Sequence, residues 1–138
     1  MSYKYLEHAT DALIEVKAKT LEEAFMVAGK SVVETIIDLD NIQEIEEKNI
    51  KVKGRNLLNL LYNWLEEIVT ITITDGFAIR NFSVSIKKNK ECQIISKISG
   101  EKLDLKKHNF KVEIKSPTFH LMEIKEDDEI TMRYLLDL

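Results

Sequence analysis

Two hydrophobic periods divide this chain, and their order restricts the folds open to it. As far as Ile68 the longest apolar runs recur at helical spacing; from Phe77 to the final residue nearly every apolar run alternates with a period of two. The first helical run starts at Leu21, where Thr20 and Glu23 form a capping box. Its stripe of Leu21, Ala24, Phe25, Ala28, Val32 and Ile36 buries one face, with Gly29 costing about 1 kcal/mol relative to alanine. Asn56 caps the second run, whose Leu57, Leu58, Leu60, Leu61, Trp64, Leu65 and Ile68 make it the most apolar element and the expected core helix.

Strands are expected around these helices. Ser2–Glu7 and Ala12–Ala18 alternate on either side of a turn at His8–Asp11, and Asn49–Lys53 is a short strand ended by Gly54. The β-branched run Val69–Thr74 is compatible with a helix end or a strand, and Asp75-Gly76 breaks the chain in either case. Beyond it, Phe82, Val84 and Ile86 alternate, Lys88–Lys90 turn, Ile94 and Ile98 continue, and Phe110, Val112 and Ile114 lead into Phe119 and Leu121. Asp104–His108 suits one helical turn, and Pro117 is expected to end pairing locally because it cannot donate to a ladder. From Glu129, Ile130, Met132, Tyr134 and Leu136 fall on one side and Thr131, Arg133, Leu135 and Asp137 on the other, the pattern of a half-buried strand. The expected fold is α+β: one domain over residues 1–138, with two main helices packed on a mostly antiparallel β-sheet.

At 138 residues and 44% hydrophobic, the chain has apolar surface for one core. The single cysteine, Cys92, excludes an internal disulfide framework or a thiolate cluster; without a signal peptide, a cytoplasmic protein is expected. No apolar stretch approaches the roughly 20 residues of a membrane helix, so no membrane partner is expected. The net charge of −4 argues against binding nucleic acid through overall charge. That charge is unevenly distributed: residues 87–115 carry 9 basic and 4 acidic side chains, between two acidic segments. Such lysines guard sheet edges against aggregation, or form a docking surface for RNA or an acidic partner.

Catalytic patterns are largely missing. There is no glycine-rich phosphate loop, zincin helix or nucleophile elbow, and His8, His108, His120 and Cys92 have no local ligand spacing. One constellation stands out at the end of the last strand, where the Asp137 carboxylate and the Leu138 terminal oxygens lie side by side. A third carboxylate converging on them would make a hard-cation site, and Asp11 is the candidate. The bland alternatives are an ordinary turn aspartate at Asp11 and a solvated strand end at Asp137, paired with Arg133 or Lys115.

The segments Tyr5-Leu6-Glu7-His8-Ala9-Thr10-Asp11, Lys19-Thr20-Leu21-Glu22-Glu23-Ala24-Phe25 and Asn56-Leu57-Leu58-Asn59-Leu60-Leu61-Tyr62-Asn63-Trp64-Leu65 resemble the archease family in order and spacing. The similarity continues through Gly100-Glu101, Leu103-Asp104 and His108, then Lys115-Ser116-Pro117-Thr118-Phe119-His120, and finally Leu136-Asp137-Leu138. It spans nearly the whole chain. The resemblance implies an archease-like fold and a non-catalytic cofactor that activates the RtcB-type tRNA-splicing RNA ligase, promoting its GTP-dependent guanylylation and multiple turnover, with tRNA met only through the ligase. It also implies a divalent metal site, calcium-like, at Asp11 and Asp137 with Leu138 contributing oxygens. Lys115 then becomes a candidate ligase contact, and His8 and His120 neighbours of the site. The chain departs from the family in reading Ala9-Thr10 where Thr-Ala is usual, and in Ser116 and Pro117, which alter how Lys115 is presented. The readings left beside this one are a direct RNA-binding module using residues 87–115 and a general chaperone-like protein, the latter requiring an exposed apolar patch.

Overall fold

A computed structural model describes residues 2–6 and 11–138. Its elements run β1 (Ser2–Leu6), β2 (Asp11–Ala18), α1 (Leu21–Ile36), β3 (Glu46–Gly54), α2 (Leu57–Val69), β4 (Phe77–Lys88), β5 (Cys92–Lys102), β6 (Ser116–Glu126) and β7 (Ile130–Asp137). Both helices begin where their caps direct. The Thr20 hydroxyl accepts the Glu23 N–H at 3.1 Å, and the Asn56 side chain accepts the Asn59 N–H at 2.9 Å. The run after α2 is not a strand: Thr70–Thr74 continue it as one π-helical turn, closed by the Asp75 N–H on the Thr70 carbonyl at 2.9 Å.

Two antiparallel sheets enclose the helices. One has strand order β1-β2-β7-β6 and the other β3-β5-β4. Helix α1 packs on β2 and β4, and α2 on β3 and β6, so each helix touches both sheets and one apolar core lies between them. Trp64 is at its centre, fully buried, with its indole N–H donated to the Phe25 carbonyl at 2.9 Å and its ring edge-on to Phe82. Burying a large apolar side chain of this kind stabilises the fold by about 3 kcal/mol. Among the described residues no helix is long and apolar enough to cross a membrane.

Two expectations fail, both near the start of β6. Phe110, Val112 and Ile114 do not form a strand, because no free ladder lies beside them: the Lys111 N–H goes to the Ile36 carbonyl at the end of α1, and the Lys115 N–H to the Asp137 carbonyl, both at 2.8 Å. Nor does Pro117 end pairing. It faces Leu136 near the start of β6, which is an edge strand and has one side that needs no donor. Pairing breaks farther on, between Thr118 and Glu123, where Leu121 takes a left-handed backbone with φ 62°. The expected turn at Asp104–His108 does form, with the His108 N–H on the Asp104 carbonyl at 2.9 Å.

Candidate metal centre

The β2–β7 ladder is set by the core. Ile14 and Val16 on β2 and Met132, Tyr134 and Leu136 on β7 are completely buried, and that alternation fixes the register as Ile14 opposite Tyr134 and Val16 opposite Met132. Carried to the end of the ladder, the same register sets Asp11 directly opposite Asp137, both half-buried, with Ser116 of β6 on the other side of Asp137. Side chains facing one another across an antiparallel pair have Cβ atoms about 5 Å apart, and like charges there are destabilising. Two carboxylates that are 126 positions apart in the chain are thus held in one row.

Leu138 follows, and with Asp11 it borders a cavity of about 400 Å³ that also meets Tyr5, Glu34, Thr35 and Lys111. Lys111 closes one side of it: its ammonium donates to the Glu34 carbonyl at 2.8 Å and pairs with Asp38 at 3.0 Å, a cation set against the last carbonyls of α1. Hydrogen bonds from Asn109 and then from Lys111 hold the Asp38 carboxyl below the usual carboxylate range. On the opposite side Tyr3 donates its hydroxyl to Glu34 and Tyr5 shares a hydrogen bond with Thr35 at 2.8 Å; burial raises both phenols. Lys115 reaches the site through its backbone, its N–H resting on the Asp137 carbonyl while its side chain stands exposed.

The other expected neighbours lie elsewhere. His120 is exposed on the irregular stretch of β6, four residues and so about 13 Å along the strand from the Ser116–Asp137 pair. His8 lies outside the described residues. Among the described residues no three His, Cys, Asp or Glu side chains gather as a ligand set. The donors that the register places side by side are all oxygens: the Asp11 and Asp137 carboxylates and the main chain of their strands. That set suits a hard cation such as calcium and would leave much of a six- to eight-oxygen shell to water.

Residues 3–138 match the Archease protein family (MTH1598/TM1083). This chain belongs to the archease family. It is 35% identical to the archease of Pyrococcus abyssi over 125 residues, covering 90% of this chain and 88% of that one. With the archease of Methanopyrus kandleri it shares 34% identity over 140 residues and the full length of both chains. Among solved structures, the Methanobacterium thermoautotrophicum protein 1598 superposes with a TM-score of 0.80 at 28% identity, covering 99% of this chain and 98% of that one. The fold alone is also shared with a Thermotoga maritima protein described as an archease and possible chaperone, at a TM-score of 0.61 and 21% identity over 98% of this chain and 96% of that one.

In this archease the Gly100-Glu101 and His108 segments form a buried polar cluster that sequence reasoning did not foresee. His108 is completely buried, its Nδ1 accepts the Asp104 N–H at 3.0 Å, and its Nε2 lies 2.9 Å from Glu101 Oε2. Since Nδ1 accepts, the proton sits on Nε2 and is donated to the carboxylate. Glu101 also accepts the Gln43 N–H at 2.8 Å and the Lys107 ammonium at 2.9 Å. Those three donors, the Gln43 amide first, lower its carboxyl to about 2. The cluster ties the residues after α1 to the segment 103–115, which then delivers Lys111 to the cavity and Lys115 to Asp137.

Proposed function

We propose that this archease is a non-catalytic cofactor of an RtcB-type tRNA-splicing RNA ligase, promoting its GTP-dependent guanylylation and multiple turnover in tRNA splicing and maturation. A calcium-like divalent ion belongs to this reading, held by Asp11 and Asp137 with oxygens of Leu138. The observation that carries it is the cross-strand pairing of Asp11 with Asp137, which sets two carboxylates in adjacent positions that a bound cation would bridge. A bound cation would neutralise the two facing carboxylates. This chain's own residues do the rest: the Lys115 N–H holds the Asp137 main chain, and the exposed Lys115 ammonium is free to meet an acidic group of the ligase. The ligase performs the phosphoryl chemistry and contacts the tRNA. Both proteins would work in the cytoplasm.

The test is multiple-turnover ligation by the partner ligase with GTP and a divalent metal, at sub-stoichiometric amounts of this protein. Stimulation is expected, and it should be lost in Asp11→Ala and in Asp137→Ala. No stimulation by the parent protein would overturn the ligase role; full stimulation by Asp11→Ala would overturn the part given to the site.

A second reading, chaperone-like action, is favoured by an apolar surface. Tyr62 of α2 stacks on Phe119 of β6 with ring centroids 4.4 Å apart, and Phe119, Leu121 and Leu58 are 53%, 49% and 41% exposed. Suppression of aggregation of a heated client that Phe119→Ser abolishes would support it.

A further inference from the structure

The β3-β5-β4 sheet has one face against the helices and one open. Core-facing Val52, Ile94, Ser96, Ile98 and Phe82 are buried, so alternation sends the other residues outward. On that outer face the register sets Lys53, Gln93 and Lys87 in one row, Lys51, Ile95 and Ser85 in the next, then Asn49, Lys97 and Ser83, and last Glu47, Ser99 and Asn81. Four lysines therefore surround one exposed isoleucine, Ile95, within two residues along the strands and two strands across, a patch about 10 Å by 14 Å.

Glu47 is the one acid in these rows, and it pairs with Lys97 at 3.2 Å; Lys53 pairs with Glu91 of the neighbouring turn at 3.6 Å. Among the described residues Lys51 and Lys87 are in no ion pair. Edge protection explains lysines on β3 and β4, the two outer strands, but not Lys97 on the central strand, where no edge exists. In a chain of net charge −4 the first three rows of this uncovered face thus carry four lysines and no acid, while Glu47 and Glu44, which accepts from Ser99 at 2.6 Å, hold the last row.

We propose that this face docks RNA through its phosphates, independently of the ligase reading above. The chemistry selects this occupant. A protein partner needs an apolar interface core from which charged residues are depleted, and this face offers one apolar side chain among twelve. Lysine is a point charge suited to phosphate without base discrimination. Asn49, Gln93 and Ser85 stand between the lysines, supplying hydrogen bonds to 2′-hydroxyls that DNA lacks, while the Ser83 hydroxyl is held by the Lys97 main chain. With no aromatic ring on the face, bases have nothing to stack on, so binding is weak and indifferent to sequence.

The experiment is fluorescence anisotropy with a labelled 20-nucleotide oligouridine and the full chain without ligase. Four neutralised phosphates on a single strand give a log–log salt slope of about −3, so raising salt from 50 to 200 mM should weaken binding about 50-fold. Lys51→Glu with Lys87→Glu should abolish binding. The milder Lys51→Gln with Lys87→Gln should halve the slope, and the exposed Lys19→Glu with Lys125→Glu, an equal charge change elsewhere, should leave at least half the affinity. Oligoadenosine should bind within twofold of oligouridine, and the matching DNA more weakly. Equal loss in the Lys19 and Lys125 variant, a slope near zero, DNA as tight as RNA, or tighter binding of polyglutamate would each overturn the proposal, the last in favour of an acidic protein.

Discussion

Adding one methyl group to this chain should have very unequal consequences at two glycines. A Cβ on Gly100 would lie 1.8 Å from the Ala78 carbonyl oxygen, a backbone atom on the adjacent strand β4, so the strands must part by about 1.2 Å to reach even 3.0 Å. Ladder hydrogen bonds do not survive such a displacement, since they weaken beyond about 3.2 Å. Two of them, and the bond from the Ile45 N–H to the Gly100 carbonyl at 3.0 Å, would be lost at about 1 kcal/mol each. Gly100→Ala should therefore cost about 3 kcal/mol and lower Tm by about 12 °C in a domain of this size. At Gly29 the nearest atoms are ring edges, Phe82 Cε2 at 3.0 Å and Trp64 Cζ2 at 3.3 Å, which can give by a few tenths of an ångström. There the helix gains about 1 kcal/mol from alanine, roughly offsetting the repacking, so Gly29→Ala should stay within about 1 kcal/mol of the parent. Urea unfolding followed by fluorescence of the single tryptophan, Trp64, measures both. A Gly100→Ala loss under about 1 kcal/mol, or one matched by Gly29→Ala, would refute the argument that strand spacing sets the cost.

Acid should act partly through Glu101, whose carboxyl is lowered from 4.5 to about 2. A group depressed on folding stabilises the native state above its unfolded pKa and stops doing so as pH falls toward the folded value, so part of the stability should vanish between about pH 4.5 and pH 2. Glu101→Gln should flatten Tm against pH in that window, and an unchanged profile would exclude the cluster as the cause. On the ligase-cofactor reading, calcium at 100 times its Kd should stabilise the parent by about 2.7 kcal/mol and leave Asp137→Asn unmoved; calorimetric scans with calcium and with a chelator decide it. Asn56→Ala removes the cap of α2 and should cost about 1 kcal/mol in urea titration, with Asn56→Asp as the variant that keeps the bond.

What the sequence made legible were the features with a local cause. Thr20 with Glu23 and Asn56 before a leucine run announced both helix starts, because each cap is satisfied within four residues. Period-two runs announced most strands. The misread segments depended on distant partners: Phe110–Ile114 alternates like a strand, yet the Phe110 N–H turns back to the Leu105 carbonyl, the Lys111 N–H goes to the end of α1, and the Lys115 N–H that follows goes to β7. Pro117 is tolerated because β6 turned out to be an edge, a property of topology rather than of residues nearby. The Glu101–His108 pair could have been suspected only from the resemblance blocks, since nothing local in Gly100-Glu101 or His108 says that the imidazole will be buried.

The candidate site was legible for a different reason, and that reason bears on how it tolerates change. Asp11 and Asp137 meet because buried side chains elsewhere on the same two strands allow one register. Slipping β7 by a single residue would turn Met132, Tyr134 and Leu136 outward and Arg133 into the core. The completely buried Tyr134 resists such a slip further, since its hydroxyl is hydrogen-bonded to Ser31 of α1. The core thus positions the two carboxylates through the register of the two strands that carry them. Substitutions at Asp11 or Asp137 should therefore leave the fold intact, whereas a charge placed at Met132 should disrupt pairing and site together.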